Sequence, residues 1–187
     1  EKIQELYPRR FTSINLGPLS GQASAGIAMN LLKADSLSTE LRKLVLEKAE
    51  GVPLFVEELT RSLVEQGALT RQGVSWRLSV SADELKVPDT LQGIILARLD
   101  RLDDPLRRVL QVASVVGPIL PYSVLAKVSG ANGQLSSQLR DLQRLDFLRE
   151  SRRRPDTEYV FKHALIRDVA YSTLLVRQRK QLHRRVG

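Results

Sequence analysis

No stretch of this chain restricts its fold more than Tyr159–Tyr171, YVFKHALIRDVAY. The alternation over Glu158–Phe161 fits a short strand, and from Ala164 the apolar positions switch to helical spacing. A strand must therefore hand over to an amphipathic helix with His163 at the junction. That strand needs a partner, and Phe147–Glu150, across the polar loop SRRRPDT, supplies one. Ahead of this hairpin the spacing predicts helices over 121–129 and 134–146. The second carries Leu135, Leu139, Leu142 and Leu145 on one stripe. Asp104-Pro105 starts an earlier helix with Leu106, Val109, Leu110 and Ala113 inward. Three helices followed by a two-stranded hairpin is the order of a winged-helix domain.

The first half reads as a separate helical bundle. Ser20–Leu32 is a candidate helix rich in small residues, and Ser38–Glu50 carries Leu41, Leu44, Val45 and Ala49 on one face. Gly51 can end that helix in a left-handed cap, and Pro53 can open the next, where its missing N–H costs nothing. In that third helix Phe55, Leu59 and Leu63 form the inward stripe, Glu57, Glu58 and Arg61 are expected to face water, and Gly67 closes it. Alternation at Val74, Trp76 and Leu78 after an RQG turn predicts a short hairpin. The polar stretch Ser79–Val87 is a connector, and Asp89 with Gln92 forms a capping box for a helix with Leu91, Ile95, Leu99 and Leu102 inward. Phe11–Leu16 fits an edge strand broken by Gly17-Pro18, whose neighbours are expected to lie in a preceding sheet of a longer chain. The fold class is thus mainly α: a small helical bundle, then a winged-helix-like domain with short β-hairpins.

Composition narrows the chemistry. The chain has no cysteine and only two histidines, His163 and His183, which excludes disulfides, thiolate ligands and a His-rich zinc site. Charged residues interrupt every apolar run, so membrane insertion is not expected, no signal peptide is evident, and a cytoplasmic location is the expectation. The net charge of +8 is uneven: residues 40–66 hold four basic and six acidic residues, residues 167–187 six basic and one acidic. A basic tail of that kind is a solvated helix face, a surface for an acidic partner, or an anion or nucleic-acid contact.

No complete active site is present in the sequence. A glycine-rich phosphate loop ending in Lys and Ser or Thr is missing, and Ser114 and Ser172 have no base and orienting partner. Asp100, Asp103 and Asp104 cluster at a helix boundary, where capping accounts for them. His163 differs, because a strand-to-helix junction is where a side chain and free amides can meet an anion. Its alternative role is to cap the helix or satisfy a buried carbonyl.

Three blocks, GVPLFVEELTRSLVEQG, VPDTLQGIILARLDRL and YVFKHALIRDVAYSTLL, together resemble the carboxyl-terminal portion of a signal-transduction ATPase module. That AAA-like, NB-ARC-related family occurs beside class III adenylate or guanylate cyclase domains, in bacterial transcriptional regulators and next to helical repeats. The resemblance covers roughly residues 11–187. It implies that residues 1–19 are the end of an ATPase core, 20–80 a lid-like helical domain, 81–175 a winged-helix-like domain and 176–187 the start of a basic helix. It further implies that Gly51, Val52 and Pro53 match a GxP motif packing on the adenine end of a nucleotide. His163, within Phe161-Lys162-His163-Ala164, takes the place of a histidine that reaches the β-phosphate of ADP. Ala164 stands where plant and animal relatives of that family have Asp, so the carboxylate latch is missing while the histidine contact stays. ATP or ADP with Mg belongs, on this reading, to the intact parent and not to this portion, which is itself not catalytic.

The implied partners are an upstream nucleotide-binding core and an effector domain in the same chain, with helical repeats possible downstream. Nucleic acid is the competing partner: Gln134, Ser137, Gln138 and Arg140 lie on the outer side of the 134–146 helix with Arg144 nearby, and Arg152, Arg153 and Arg154 can touch phosphates as a wing. A third reading docks an acidic neighbour on Arg177, Arg179, Lys180, Arg184 and Arg185.

Overall fold

The computed structural model describes residues 12, 14–130, 133–152 and 155–186. They divide between Glu84 and Leu85 into two compact units, each with its own core. The architecture is mainly α, with nine α-helices and two three-stranded sheets among the described residues.

The first unit contains α1 (Gly21–Leu32), β1 (Ser36–Leu37), α2 (Thr39–Ala49), α3 (Pro53–Glu65), β2 (Leu69–Gln72) and β3 (Ser75–Leu78). Ser20 and Ser38 cap α1 and α2, their hydroxyls accepting from the Ala23 and Leu41 amides at 3.2 and 3.3 Å. The small residues Ser24, Ala25 and Ala28 form the buried side of α1 and let it pack close to α3. Helix α3 lies against both α1 and α2, so its buried face is wide: Val56, Leu59 and Leu63 are joined by Glu58, Thr60 and Ser62. The expectation that Glu58 faces water is therefore corrected, since it is 0% exposed. Two neighbours pair locally, Thr60 Oγ1 donating to the Val56 carbonyl at 2.7 Å and Gln66 Nε2 to Ser62 Oγ at 2.9 Å.

The hairpin β2–β3 turns at Gly73-Val74, and β1 adds in parallel to β3, giving the order β1-β3-β2. Two residues are too few for a periodic signal. Strand β1 exists because the chain entering α2 exchanges backbone bonds there, Asp35 N–H to the Val74 carbonyl and Ser38 N–H to that of Trp76. Of the strand expected over Phe11–Leu16, residues 11 and 13 lie outside the described residues. Ile14 and Leu16 are in no regular element and are 79% and 88% exposed, and among the described residues no strand pairs with them.

The second unit contains α4 (Leu91–Asp100), α5 (Asp104–Val116), β4 (Ile119–Pro121), α6 (Tyr122–Ser129), α7 (Leu135–Arg144), β5 (Leu148–Arg152), β6 (Glu158–Phe161), α8 (Ala164–Ser172) and α9 (Val176–Val186). The run α5–β4–α6–α7–β5–β6 is winged-helix order, and the sheet pairs antiparallel as β4-β6-β5. Strand β4 carries one buried residue, Leu120, between exposed Ile119 and a proline, so the sequence gives it no alternation to read. The capping box at Asp89 is also corrected. Thr90 is the N-cap of α4, its hydroxyl accepting from the Gly93 amide at 3.1 Å.

The core joins Ile95, Leu99, Val109, Leu110, Leu120, Leu125, Leu139, Leu142, Phe147 and Ile166. Inside it sits Arg98, 1% exposed. Its Nη2 donates to the Leu145 carbonyl at 2.7 Å, and its guanidinium lies 4.6 Å from the centre of the Phe147 ring. Arg107 closes the end of α4, donating to the carbonyls of Leu99, Asp100 and Leu102 at 3.2, 2.6 and 2.9 Å. Among the described residues no helix is long and apolar enough to cross a membrane.

Candidate functional site

Gly51, Val52 and Pro53 make a corner between α2 and α3. Glu50 leaves α2 in the left-handed region at φ 47°, and Gly51 follows at φ 76°. The Gly51 carbonyl accepts from the Leu19 amide at 2.8 Å, which ties the incoming segment to the corner. The fit leaves no room for a side chain: a Cβ on Gly51 would sit 2.6 Å from the Leu19 carbonyl oxygen and 2.8 Å from Pro18 Cβ. Pro53 then opens α3 at its first turn. Val52 and Pro53 are both exposed, so the corner presents an apolar edge built on a glycine that cannot be replaced without strain.

His163 is the N-cap of α8, with φ −140° and ψ 144° and no side-chain cap bond. Two anchors fix the junction on its strand side. Lys162 N–H donates to the Phe147 carbonyl at 3.0 Å, and Lys162 Nζ lies 3.6 Å from Asp146 Oδ1. Behind it Ile166, Val169 and Ala170 root α8 in the core. The imidazole is half-buried, with Nε2 shielded from solvent, and it interacts with the surrounding chain. It stands beside the first turn of a helix, where backbone N–H groups lack intrahelical acceptors. Gly51 and Pro53 belong to the first unit and His163 to the second.

The basic residues separate into distinct environments. Arg152 is exposed at the end of β5, next to an irregularity in its pairing with β6, while Arg153 and Arg154 lie outside the described residues. Arg179 turns back onto α8: Nε and Nη2 donate to the Leu174 and Ser172 carbonyls at 3.0 and 3.2 Å, with the guanidinium 4.5 Å from the Tyr171 ring centre. Arg177, Lys180, Arg184 and Arg185 are exposed on α9. On α7 the exposed positions include Gln134, Ser136, Ser137, Arg140 and Arg144, while Gln138 is half-buried. Among the described residues no three His, Asp or Glu side chains group to hold a metal.

Sequence reasoning missed Asp156, in the turn before β6. Its Oδ2 accepts from the Ser123 hydroxyl at 2.6 Å and the Ser123 amide at 3.2 Å, so a carboxylate on the hairpin caps α6. The Ser123 hydroxyl bond is the main reason this carboxyl titrates below the ordinary range.

A family described as a domain of unknown function (DUF8739) matches residues 20–72, which include α1, α2, α3 and the Gly51–Pro53 corner. An uncharacterized protein of Rhizobium meliloti (strain 1021), R02095, is 33% identical over 138 residues, covering 73% of this chain. The chain spans 13% of the length of that relative. No solved structure matches.

Proposed function

We propose that this chain is a nucleotide-sensing, signal-relay portion of a signal-transduction ATPase, not catalytic by itself. One observation carries the reading. The Gly-Val-Pro corner is built around a glycine with no space for a Cβ, and it holds Val52 and Pro53 exposed at the start of α3. The corner's fixed backbone holds the two apolar side chains side by side, as a small flat edge at the head of α3. On this reading Pro53 offers its ring to the flat face of an adenine. His163, at the head of α8, offers a hydrogen bond to a phosphate oxygen beside the positive end of the helix dipole. The signal is the difference in affinity for ADP and ATP between two arrangements of the intact protein. Magnesium chemistry and most phosphate contacts belong to an upstream core, and an effector domain of cyclase or regulator type receives the output.

Calorimetry with ADP tests this in a longer chain that carries the core. His163→Ala is expected to weaken ADP by about tenfold to a hundredfold, the worth of one hydrogen bond to a charged group. Equal affinities with intact folding contradict the role of His163.

A second reading has its own observation. The second unit has winged-helix order, and α7 exposes Ser136, Ser137, Arg140 and Arg144 where a recognition helix would face a duplex. Arg144 is already 3.5 Å from Asp141, which weakens its pull on phosphate. Duplex affinity falling steeply with salt, and lost in Arg140→Ala, would favour this reading.

A further inference from the structure

Helix α9 is docked by its apolar side chains and by Arg179, while Arg184 and Arg185 project from it exposed. Leu182 and Val186 pack on the core of the second unit. Between α9, α5 and α6 lies a cleft of about 550 Å³, within the range of about 300–1,000 Å³ typical of ligand clefts. Val112, Val128, Leu174 and Leu182 lie along its floor; the first three are nearly fully buried, so half-buried Leu182 is the apolar side chain that an incoming group meets. Arg108 from α5 and Arg184 and Arg185 from α9 line the walls. Arg108 is exposed, and none of the three forms an ion pair with any described residue. Among the described residues no carboxylate lines the cleft, and Asp104 stands in the adjoining cleft that Arg108 also lines.

Three exposed guanidinium groups around one hollow give it a positive potential, with no carboxylate among the described residues of its lining to offset it. That potential favours anionic groups entering the hollow. Arginine forks suit carboxylates and phosphates alike, so the floor decides between them. A duplex meets proteins with a convex line of phosphates and gives an apolar floor nothing to bury. A peptide with an apolar side chain flanked by Asp or Glu fills the hollow and pairs the rim together. Gln178 and Gln181, also on the wall, can bond to its backbone.

We infer that the cleft between α5, α6 and α9 binds an acidic amphipathic segment of a partner protein. Its apolar anchor lies against Leu182, over the buried Val112 and Val128, and its carboxylates pair with Arg108, Arg184 and Arg185. The inference does not depend on nucleotide sensing.

The test is fluorescence anisotropy on the 187-residue chain at about 150 mM salt. The probe is a labelled helical peptide with Leu and Phe anchors flanked by Glu. A second peptide replaces the anchors with Ser, and a labelled DNA duplex provides the nucleic-acid arm. Saturable binding of the anchored peptide is expected, weakened about tenfold or more by the pair Arg184→Glu, Arg185→Glu and similarly by Arg108→Glu. The pair Arg177→Glu, Lys180→Glu makes the same change in net charge on the same helix, outside the cleft lining, and is expected to leave affinity within about threefold. Circular dichroism checks that each variant remains folded. No binding of the anchored peptide, equal binding of the Ser peptide, equal loss in both charge-reversed pairs, or displacement of the peptide by the duplex would each overturn the inference.

Discussion

Replacing Gly51 by alanine separates two costs that usually arrive together. At φ 76° an alanine pays about 1–2 kcal/mol for left-handed backbone. Its Cβ would also lie 2.6 Å from the Leu19 carbonyl oxygen and 2.9 Å from the Leu19 nitrogen, both backbone atoms that cannot rotate away. Forcing that overlap adds about 1–3 kcal/mol. Should the Pro18–Leu19 segment lift off instead, the Leu19–Gly51 hydrogen bond is lost, at about 1 kcal/mol. Gly67 is the matched control, with φ 66° and nothing within 4 Å of a built Cβ, so Gly67→Ala carries only the first cost. Urea unfolding followed by Trp76, the single tryptophan and a residue of the first unit, reports the right core. With m of about 1–3 kcal/mol per molar, Gly51→Ala is expected to lower the midpoint by roughly 1–2 M and Gly67→Ala by half of that or less. Equal shifts in the two variants would refute the claim that the corner is shaped by close backbone approach.

Other outcomes follow from the second unit. Arg98→Ala strips the Leu145 carbonyl of a 2.7 Å bond and leaves a void beside Phe147, so a loss of about 3 kcal/mol is expected in denaturant titrations followed by circular dichroism. Arg98→Met, which keeps the packed stem, is expected to lose about half as much. Arg107→Ala releases three carbonyls at the end of α4 and is expected to cost about 1–2 kcal/mol by the same measurement. Asp156 has its carboxyl held below 3.8, chiefly by the Ser123 hydroxyl, so its contribution is present above that value and fades as pH falls through the lower folded value. The drop in melting temperature from neutral pH to about pH 3 is therefore expected to be smaller in Asp156→Asn than in the parent.

The helices were legible because their signals are local. Ser20, Ser38, Gly51 and Pro53 mark ends by chemistry that needs no tertiary partner, and Leu135, Leu139 and Leu142 repeat on one face. Winged-helix order was legible for the same reason, since three periodic segments precede one clean hairpin. What escaped was set by neighbours in space. Glu58 is buried because α3 has helices on more than one side, although its composition gives an outward face. Arg98 sits four residues after Ile94 on the buried face, and that spacing was the one available hint of an interior guanidinium. Strands β1 and β4 are defined by their partners alone. For the candidate site, the positions of Gly51, Pro53 and His163 at element junctions could be read from punctuation. The absence of room around Gly51 could not, because it depends on Pro18 and Leu19 crossing the corner.

The central claim is that the Gly51–Pro53 corner and the head of α8 both respond to nucleotide. Hydrogen exchange, with and without ADP, on a chain that includes the upstream core tests both at once. Slower exchange in two separate segments, the first turn of α3 and the first turn of α8 after His163, with the α8 protection abolished in His163→Ala, is the predicted result. Protection confined to the upstream core, with both of these turns exchanging at the same rate in either condition, would contradict it.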